Sequence, residues 1–256
     1  MQPLRLVGAS NFRSLRGLPT VDGRVLAEHW LLRSDALHEL VPGDWAVLTA
    51  LGLRAVCDLR SDAERARRPD HLPMQVRQVP MSMVADIRSD PQYAAILREQ
   101  PDVAGAAHVM HAIYRRLPSA LAPHLRALFG LLHSCEVPLL IHCAAGKDRT
   151  GFAVALVLRA LGVEPEAIID DYRRSSLTNR TAESGYLEKM SRQTHEAIGE
   201  ACSPEMIAVL LDARPAWLEA AFDVVVEEHG GVECYLQKSA GLDAAALARL
   251  RDAWLS

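Results

Sequence analysis

Short apolar runs and helically spaced apolar positions alternate along the first two thirds of the chain. The segments Arg54–Leu59 and Val137–His142 are continuous, mostly aliphatic runs, which are typical of strands buried on both faces of a sheet. A weaker strand candidate covers Val76–Val79, just before Pro80. Arg149–Leu161 is apolar on nearly all sides and predicts a buried helix. Strand, tight loop and buried helix in direct succession indicate an α/β fold, with a mostly parallel central sheet flanked by helices.

Amphipathic spacing predicts a further helix just before the second strand. Leucines at positions 121, 125, 128 and 132 recur at spacings of four and three residues within Ser119–His133. We expect Ser119 to cap this helix, and we expect Pro123 to be tolerated because it lies near the first turn.

The pattern beyond about Val163 is almost wholly helical and predicts extra C-terminal helices. Helix boundaries are indicated by Ser203-Pro204 at a start, by Gly230 at an end and by Asp243 as a cap. Between roughly Ser175 and His195 the pattern is polar and weakly periodic, which favours a mobile cover or a linker. We interpret an apolar stripe in this region as helix packing; it consists of Trp217, Leu218, Phe222 and Val225.

Composition limits the class of protein. The 256 residues carry 28 Lys+Arg against 32 Asp+Glu, and half of them are apolar, which excludes a disordered or fibrous chain. The length allows one large domain or two small ones. A pI near 6.2 and scattered basic residues argue against nucleic acid as a partner. The longest apolar run, Phe152–Leu158, is far below the roughly 18 residues of a transmembrane helix.

The cysteines argue against a disulfide framework and against a zinc site, because there are five of them and none forms a C-x-x-C pair. We therefore expect a reducing compartment, and no cofactor or metal. No apolar signal segment is visible, so the predicted location is cytoplasmic, or outside the cell by export without a Sec-type signal peptide. His108 and His111 are interpreted as a solvated helix face. Four cysteines are expected to be small core residues: Cys57, Cys135, Cys202 and Cys234.

The remaining cysteine, Cys143, stands in the segment HCAAGKDRTG, which runs from His142 to Gly151. A cysteine at the end of a strand, followed by a loop that enters a helix, faces backbone N–H groups and the positive end of the helix dipole. Both stabilise a thiolate, and the same amides can hold the oxygens of a phosphoryl group. The predicted phosphate-binding residues are Ala144, Ala145, Gly146, Lys147, Asp148 and Arg149.

The residue types around this cysteine suit transfer of a phosphoryl group. Small residues leave the loop backbone accessible, and the planar fork of Arg149 fits two phosphate oxygens. Thr150 is expected to donate a hydrogen bond to the sulfur, and His142 to orient the loop through backbone carbonyls. We predict that Cys143 attacks phosphorus and forms a phosphocysteine that water hydrolyses, with no metal required.

A general acid must protonate the leaving oxygen, and Asp148 is the better candidate. A bound phosphate anion favours its protonated form. Asp102 lies earlier in the chain, but no Trp-Pro-Asp loop surrounds it. Asp58, at the end of a predicted strand, is the second candidate, although a supporting or substrate-binding role is expected for it and for Arg60.

The segment HCAAGKDRTG resembles the signature loop of bacterial tyrosine phosphatases of the lipid-phosphatase-like type. The resemblance continues through blocks along the chain, which are Asn11-Phe12-Arg13, Gly17-Leu18, Asp22-Gly23-Arg24, Leu32–Leu37, Asp58–Glu64, Tyr235-Leu236 and Gly241-Leu242. It therefore implies a cysteine-phosphatase-like fold in one catalytic domain over residues 1–256. A helical lid or appendage at about 175–235 would belong to that domain.

The resemblance implies hydrolysis of phosphotyrosine, and in some members of phosphoserine, phosphothreonine or phosphoinositides. It implies the acid role for Asp148, a phosphorylated protein or phosphoinositide as partner, and inorganic phosphate as product. Three alternatives stay open at this point. They are a phosphoinositide-preferring phosphatase, a sulfurtransferase and a non-catalytic phosphate-binding module.

Overall fold

A computed structural model describes residues 5–27, 31–85, 91–134, 136–176, 192 and 203–256. Within these residues five strands form one sheet, in the order β1-β2-β5-β3-β4. The strands are β1 (Arg13–Ser14), β2 (Leu31–Ser34), β3 (Ala55–Asp58), β4 (Arg77–Pro80) and β5 (Leu139–His142). β1 is antiparallel to β2, and the other pairs are parallel. The predicted α/β fold with a mostly parallel sheet is confirmed.

Helices pack on both faces of this sheet. In chain order they are α1 (Pro42–Ala50), α2 (Asp62–Arg67), α3 (Pro91–Glu99), α4 (Val103–Leu121), α5 (Leu125–His133), α6 (Asp148–Ala160), α7 (Pro165–Arg173), α8 (Pro204–Leu211), α9 (Pro215–His229), α10 (Val232–Ala240) and α11 (Ala244–Trp254). None of the helices in the described ranges combines the length and the hydropathy that a bilayer crossing requires.

The core lies on both sides of the sheet, because successive residues of a strand point to opposite faces. Leu139 and Ile141 of β5 face the larger cluster, which includes α4 to α6 and the C-terminal helices. Leu140 faces a smaller cluster beneath α1 and the N-terminal segment. This two-sided burial explains why β5 and β3 are continuous apolar runs, and why α6 is buried all round except at Asp148 and Arg159.

The predicted helix over Ser119–His133 is wrong in its start. Ser119 lies inside the last turn of α4, and a short 3-10 segment at Ala122–His124 separates α4 from α5. Pro123 sits in that 3-10 segment, where it cannot supply the N–H that would continue α4. The cap of α4 is instead Asp102, whose Oδ1 accepts the backbone N–H of Gly105 at 2.8 Å.

The C-terminal helices follow the predicted boundaries. Ser203 caps α8 with Pro204 at its first position, Gly230 ends α9 at a φ of 81°, and Asp243 caps α11. The apolar stripe of α9 is buried, as helix packing requires. The polar segment 175–195 lies almost wholly outside the described residues, so the lid over about 175–235 and the single domain stay predictions.

The structure describes two of the four cysteines that are expected to be core residues. Cys57 is fully buried, and burial raises the pKa of its thiol to about 12, which suits an inert core residue. Cys234 is exposed, so its predicted core position is wrong. The reason is local, since Tyr235 and Leu236 supply the buried face of α10 and leave Cys234 on the solvent face. Cys135 and Cys202 lie outside the described residues.

Candidate active site

The candidate site lies where three parallel strands end. Ser34 of β2, His142 of β5 and Asp58 of β3 are in register at the C-terminal edge of the sheet, where α/β proteins bind ligands. Cys143 follows His142 directly, and α6 begins at Asp148. The loop between them, residues 143–147, therefore joins a strand end to a helix N-terminus. Cys143 is buried, with 2% of its surface exposed.

Backbone carbonyls of the loop are held outward by donors from the N-terminal part of the chain. The N–H of Ala36 donates to the carbonyl of Ala144 at 3.1 Å. Asn11 Nδ2 donates to the carbonyls of Ala145 and Gly146 at 3.2 and 2.9 Å. In a planar trans peptide the N–H points opposite to the C=O. The N–H groups that follow these carbonyls therefore point toward the inside of the loop, as an anion-binding cup requires.

A buried ion network supports the same loop. Arg33 donates to the carbonyl of Gly146 at 2.8 Å and to Asp171 Oδ2 at 2.5 Å. Arg13 pairs with Asp171 Oδ1 at 2.6 Å and donates to Asn11 Oδ1 at 2.5 Å. Burial would raise the pKa of Asp171, but the two guanidinium groups outweigh it and lower that pKa. Asp171 therefore stays ionised and fixes both arginines under the loop.

Gly146 is required by backbone shape and by space. Its φ of 67° lies in the left-handed region. A Cβ atom there would lie 2.5 Å from the carbonyl oxygen of Ser34 and 2.7 Å from Asn11 Nδ2. The loop can approach β2 this closely only without a side chain.

Arg149 is oriented by a carboxylate from another element. Its Nη1 and Nη2 donate to Glu64 Oε2 and Oε1 at 2.6 and 2.9 Å, a bidentate pair. Burial opposes ionisation of Glu64, but the bonds from Arg149 and the backbone N–H of Ser61 lower the pKa of Glu64 to about 2. Nη1 also donates to the carbonyl oxygens of Met83 and Leu59, at 3.3 and 3.4 Å, so the carboxylate and the backbone together fix the plane of the guanidinium.

The ammonium group of Lys147 is held by backbone carbonyls outside the loop, and phosphate binding by this residue stays a prediction. Nζ is buried and donates to the carbonyls of Leu210 and Asp212, at 2.6 and 2.8 Å. These carbonyls lie at the C-terminal end of α8, which carries the negative end of the helix dipole. A buried ammonium needs such acceptors, so Lys147 ties the loop to the C-terminal helices.

Asp58 belongs to a second buried cluster. Arg60 donates to Asp58 Oδ1 and Oδ2, and Arg60 Nη2 also donates to Asp70 at 2.5 Å. Burial would raise the pKa of Asp58, but Arg60 and nearby His142 lower it overall. Because Arg60 binds both oxygens of the buried Asp58 carboxylate, the geometry favours support over acid catalysis for Asp58 and Arg60.

His142 links this cluster to the loop. Its Nδ1 lies 3.2 Å from the carbonyl oxygen of Cys143, as predicted for a residue that orients the loop. Its Nε2 lies 3.3 Å from Asp70 Oδ2 and 3.7 Å from Asp58 Oδ1. His142, Asp58 and Asp70 bring atoms that could ligate a metal within 4.8 Å of one another. The guanidinium of Arg60 already bridges the two carboxylates of this cluster.

Two other predictions have clear outcomes. Thr150 Oγ1 is buried and has no hydrogen-bond partner among the described residues, so the predicted bond to the sulfur of Cys143 is not formed. Thr150 is the third residue of α6, and its side-chain direction is set by that helix rather than by the loop. His108 and His111 are exposed on α4, consistent with a solvated helix face.

Comparison with known proteins decides the family. A model of the tyrosine phosphatase family matches residues 4–256. The chain belongs to the tyrosine phosphatase family. Its enzyme class is accordingly that of the cysteine-dependent protein-tyrosine phosphatases. The three alternatives are not supported, which are a phosphoinositide-preferring phosphatase, a sulfurtransferase and a non-catalytic binding module.

Named relatives of this phosphatase are bacterial. It is 31% identical to the triple specificity protein phosphatase PtpB of Mycobacterium tuberculosis, over 98% of both chains. It is 30% identical to a Cupriavidus necator protein assigned to the tyrosine-protein phosphatases, over 93% of this chain and 84% of that one.

A solved structure, the core catalytic domain of the PP-IP phosphatase SIW14 from S. cerevisiae, matches with 17% identity and a TM-score of 0.34. That match covers 78% of this chain and 100% of the other.

Several residues of the phosphatase site escape sequence reasoning. Glu64 lies 85 positions before Arg149, and Asp171 lies 138 positions after Arg33. Glu64 and Arg33 do occur in blocks that resemble the family, which is the one signal that could have singled them out. Tyr114, which donates to Asp148 Oδ1 at 2.7 Å, occurs in an amphipathic helix whose pattern predicts only packing.

Proposed function

We propose that this phosphatase hydrolyses phosphotyrosine through a phosphocysteine on Cys143, with Asp148 as general acid. The single observation that carries the proposal is the outward anchoring of the loop carbonyls beside Cys143. It leaves a ring of N–H groups between a strand end and a helix N-terminus. Such a ring fits the three non-bridging oxygens of a phosphoryl group.

In the first step the thiolate of Cys143 attacks phosphorus in line. The S–P bond forms as the ester P–O bond breaks, and the leaving oxygen takes the electron pair of that bond together with a proton from Asp148. Loop N–H groups and the guanidinium of Arg149, which Glu64 holds in plane, stabilise the charge on the equatorial oxygens.

In the second step water attacks the phosphocysteine. The carboxylate of Asp148 takes a proton from the water as the new P–O bond forms. The S–P bond breaks, its electron pair returns to sulfur as the thiolate, and inorganic phosphate leaves. Asp148 suits both steps because its side chain is 28% exposed, whereas Asp58 is fully buried and bound by Arg60.

Substitution of two residues tests these roles. Cys143→Ser should abolish turnover of phosphotyrosine peptides and retain phosphate binding, because a hydroxyl is a far poorer nucleophile here. Asp148→Asn should reduce kcat by about 10² or more for poor leaving groups and much less for good ones. Asp58→Asn is the matched control and should show no such dependence on the leaving group.

The substrate range is measured with the same variant as blank. A panel of phosphotyrosine, phosphoserine and phosphoinositide substrates should give the highest kcat/KM with phosphotyrosine. Persistent turnover in Cys143→Ser would contradict the covalent route, and a clear preference for a phosphoinositide would contradict the substrate class.

A further inference from the structure

Two buried tyrosines from different helices converge on the side chain of Asp148. Tyr114 of α4 places its hydroxyl 2.7 Å from Asp148 Oδ1. Tyr172 of α7 places its hydroxyl 2.6 Å from that of Tyr114. Both tyrosines are almost completely buried, at 0% and 1% exposure, so these contacts are sheltered from water. The hydroxyls form a chain that ends on the carboxyl group proposed as the acid.

The direction of donation along this chain is determined by chemistry. Burial, together with the nearby charge of Asp148, raises the pKa of both hydroxyls well above the ordinary value. Tyr114 and Tyr172 therefore keep their protons over the working pH range. An ionised carboxylate only accepts hydrogen bonds, so Tyr114 donates to Asp148 and accepts from Tyr172. Each bond of such a chain polarises and strengthens the next.

Both described contacts of the Asp148 carboxyl group fall on the same oxygen. Lys147 Nζ lies 3.3 Å from Oδ1, the oxygen that Tyr114 contacts. Lys147 is itself held by the carbonyls of Leu210 and Asp212. Oδ1 thus carries the contacts that orient the group, and Oδ2 is the oxygen best placed to carry a proton.

The protein holds the tyrosine rings as well as their hydroxyls. The ring of Tyr114 packs edge-on to Tyr172, with centroids 6.2 Å apart, and lies 6.1 Å from that of Trp217 on α9. A Cβ atom on Gly151 would lie 3.0 and 3.1 Å from two ring atoms of Tyr172, so this glycine gives the ring its place against α6. Packing from four helices therefore sets the position of the donor.

We propose that Tyr114 is a positioning residue for the general acid: it binds Asp148 Oδ1, directs Oδ2 to the leaving oxygen and stabilises the carboxylate that remains after proton transfer. Tyr172 supports it by donating to its oxygen. The proton moves from Asp148 Oδ2 to the leaving oxygen, the electron pair stays on the carboxylate, and Tyr114 keeps its own proton throughout. This inference rests on the proposed acid role of Asp148.

The charged and titratable groups around Asp148 and the residues that contact it come from several elements, and the pH experiment must keep them all intact. Besides the two tyrosines they are Lys147 and Cys143 in the loop, Asp212 after α8 and Arg33 on β2. The substitution Tyr114→Phe removes one hydroxyl and leaves every one of these charges in place.

The experiment measures Tyr114→Phe against a series of aryl phosphates of rising leaving-group basicity. We expect kcat/KM to fall on the order of tenfold for the poorest leaving groups and less than about twofold for the best, since a hydrogen bond to a charged group is among the stronger ones. The alkaline limb of the pH–rate profile should move to higher pH, because the carboxylate loses a donor. Equal losses for all substrates with an unmoved limb would overturn the proposal.

Double variants separate positioning from packing. In an Asp148→Asn background, Tyr114→Phe should change kcat/KM by less than about twofold, because its partner no longer transfers a proton. A full multiplicative loss there would overturn the proposal. Tyr172→Phe should act in the same direction, by about two- to threefold. If Tyr114→Phe does not fold by circular dichroism, Tyr172→Phe decides, and an unchanged leaving-group dependence in that variant would overturn the proposal.

Failure of this inference is distinguishable from failure of the acid role. If Asp148→Asn slows good and poor leaving groups equally, the acid role of Asp148 is wrong, and this inference with it. If Asp148→Asn slows poor leaving groups selectively while Tyr114→Phe does not, only the positioning role is wrong.

Discussion

Glu64 offers the sharpest test of how a carboxylate outside the loop supports catalysis. It binds Arg149 through both oxygens and accepts the backbone N–H of Ser61 at 2.8 Å. The substitution Glu64→Gln keeps the shape and one carbonyl oxygen but removes the charge. We expect the guanidinium of Arg149 to be held less firmly. We expect kcat/KM to fall about tenfold, because the group that binds the phosphoryl oxygens is then no longer fixed in position before the reaction.

The contribution of Glu64 to the free energy of folding follows from its pKa. This pKa falls from an ordinary 4.5 to about 2 in the folded protein. At about 1.4 kcal/mol for each pH unit, this difference amounts to about 3 kcal/mol of folding free energy. The variant should lose less, about 2 kcal/mol at pH 7, because the amide oxygen still accepts one hydrogen bond.

The sign of the pH dependence is determined, because the pKa is lowered on folding. The stabilisation is complete above about pH 5, declines as pH falls, and is gone near pH 2, where the folded protein also binds the proton. Glutamine does not titrate. The difference in free energy of unfolding between the wild type and the variant should therefore shrink by about 2 kcal/mol between pH 6 and pH 3.

Urea denaturation from pH 3 to pH 7 measures this difference, with steady-state kinetics at pH 7 beside it. The matched control is Glu227→Gln, which removes a half-exposed ion pair with Arg115. Exposed pairs contribute little, so the control should change neither quantity measurably. A difference for Glu64→Gln that stays constant with pH, or unchanged kcat/KM, would refute the reasoning.

Three further substitutions test the support of the loop, each by urea denaturation. Gly146→Ala should lower the free energy of unfolding by about 3 kcal/mol or more and abolish most activity, because the new Cβ meets a backbone carbonyl. The control Gly52→Ala is also at positive φ but in open space, and it should lower the free energy of unfolding by about 1 kcal/mol. Lys147→Met should lower the free energy of unfolding by about 2 kcal/mol and leave KM for small aryl phosphates within twofold. A large rise in KM with no loss of stability would mean that the ammonium binds substrate. Asp171→Asn should cost about 3–5 kcal/mol because two buried guanidinium groups lose their counter-charge, and a cost below 1 kcal/mol would contradict that account.

Residues that act within one short segment could be predicted from the sequence. The segment from Cys143 to Arg149 runs from the end of β5 through the loop into the first turn of α6, so its position at a strand end and a helix start follows from local apolar pattern. β3 and β5 were predictable for the same reason, since burial on both faces gives continuous apolar runs. β2 escaped prediction, because two of its four residues are polar and its strand form depends on pairing with β5.

Local pattern also left the partners of some side chains undetermined. Lys147 stands among the predicted phosphate-binding residues, but its sequence position does not determine which groups its ammonium contacts. Its ammonium reaches carbonyls 63 and 65 positions away, because that site is buried and offers acceptors at a helix end. The hydroxyl of Thr150 is a second example, because its position is set by the direction of α6 and not by the closeness of Thr150 to Cys143 in the sequence.

By itself, the amino-acid sequence determined which atoms are candidates for the chemistry, since the proposed nucleophile, the guanidinium and the loop backbone occupy seven consecutive positions from Cys143 to Arg149. Only the tertiary structure decided how those atoms are held. Asn11, Glu64 and Tyr114 reach the loop across 135, 85 and 34 positions. The physical reason is that side-chain hydrogen bonds depend on distances of about 3 Å between chain segments, which only the packing of sheet and helices brings about.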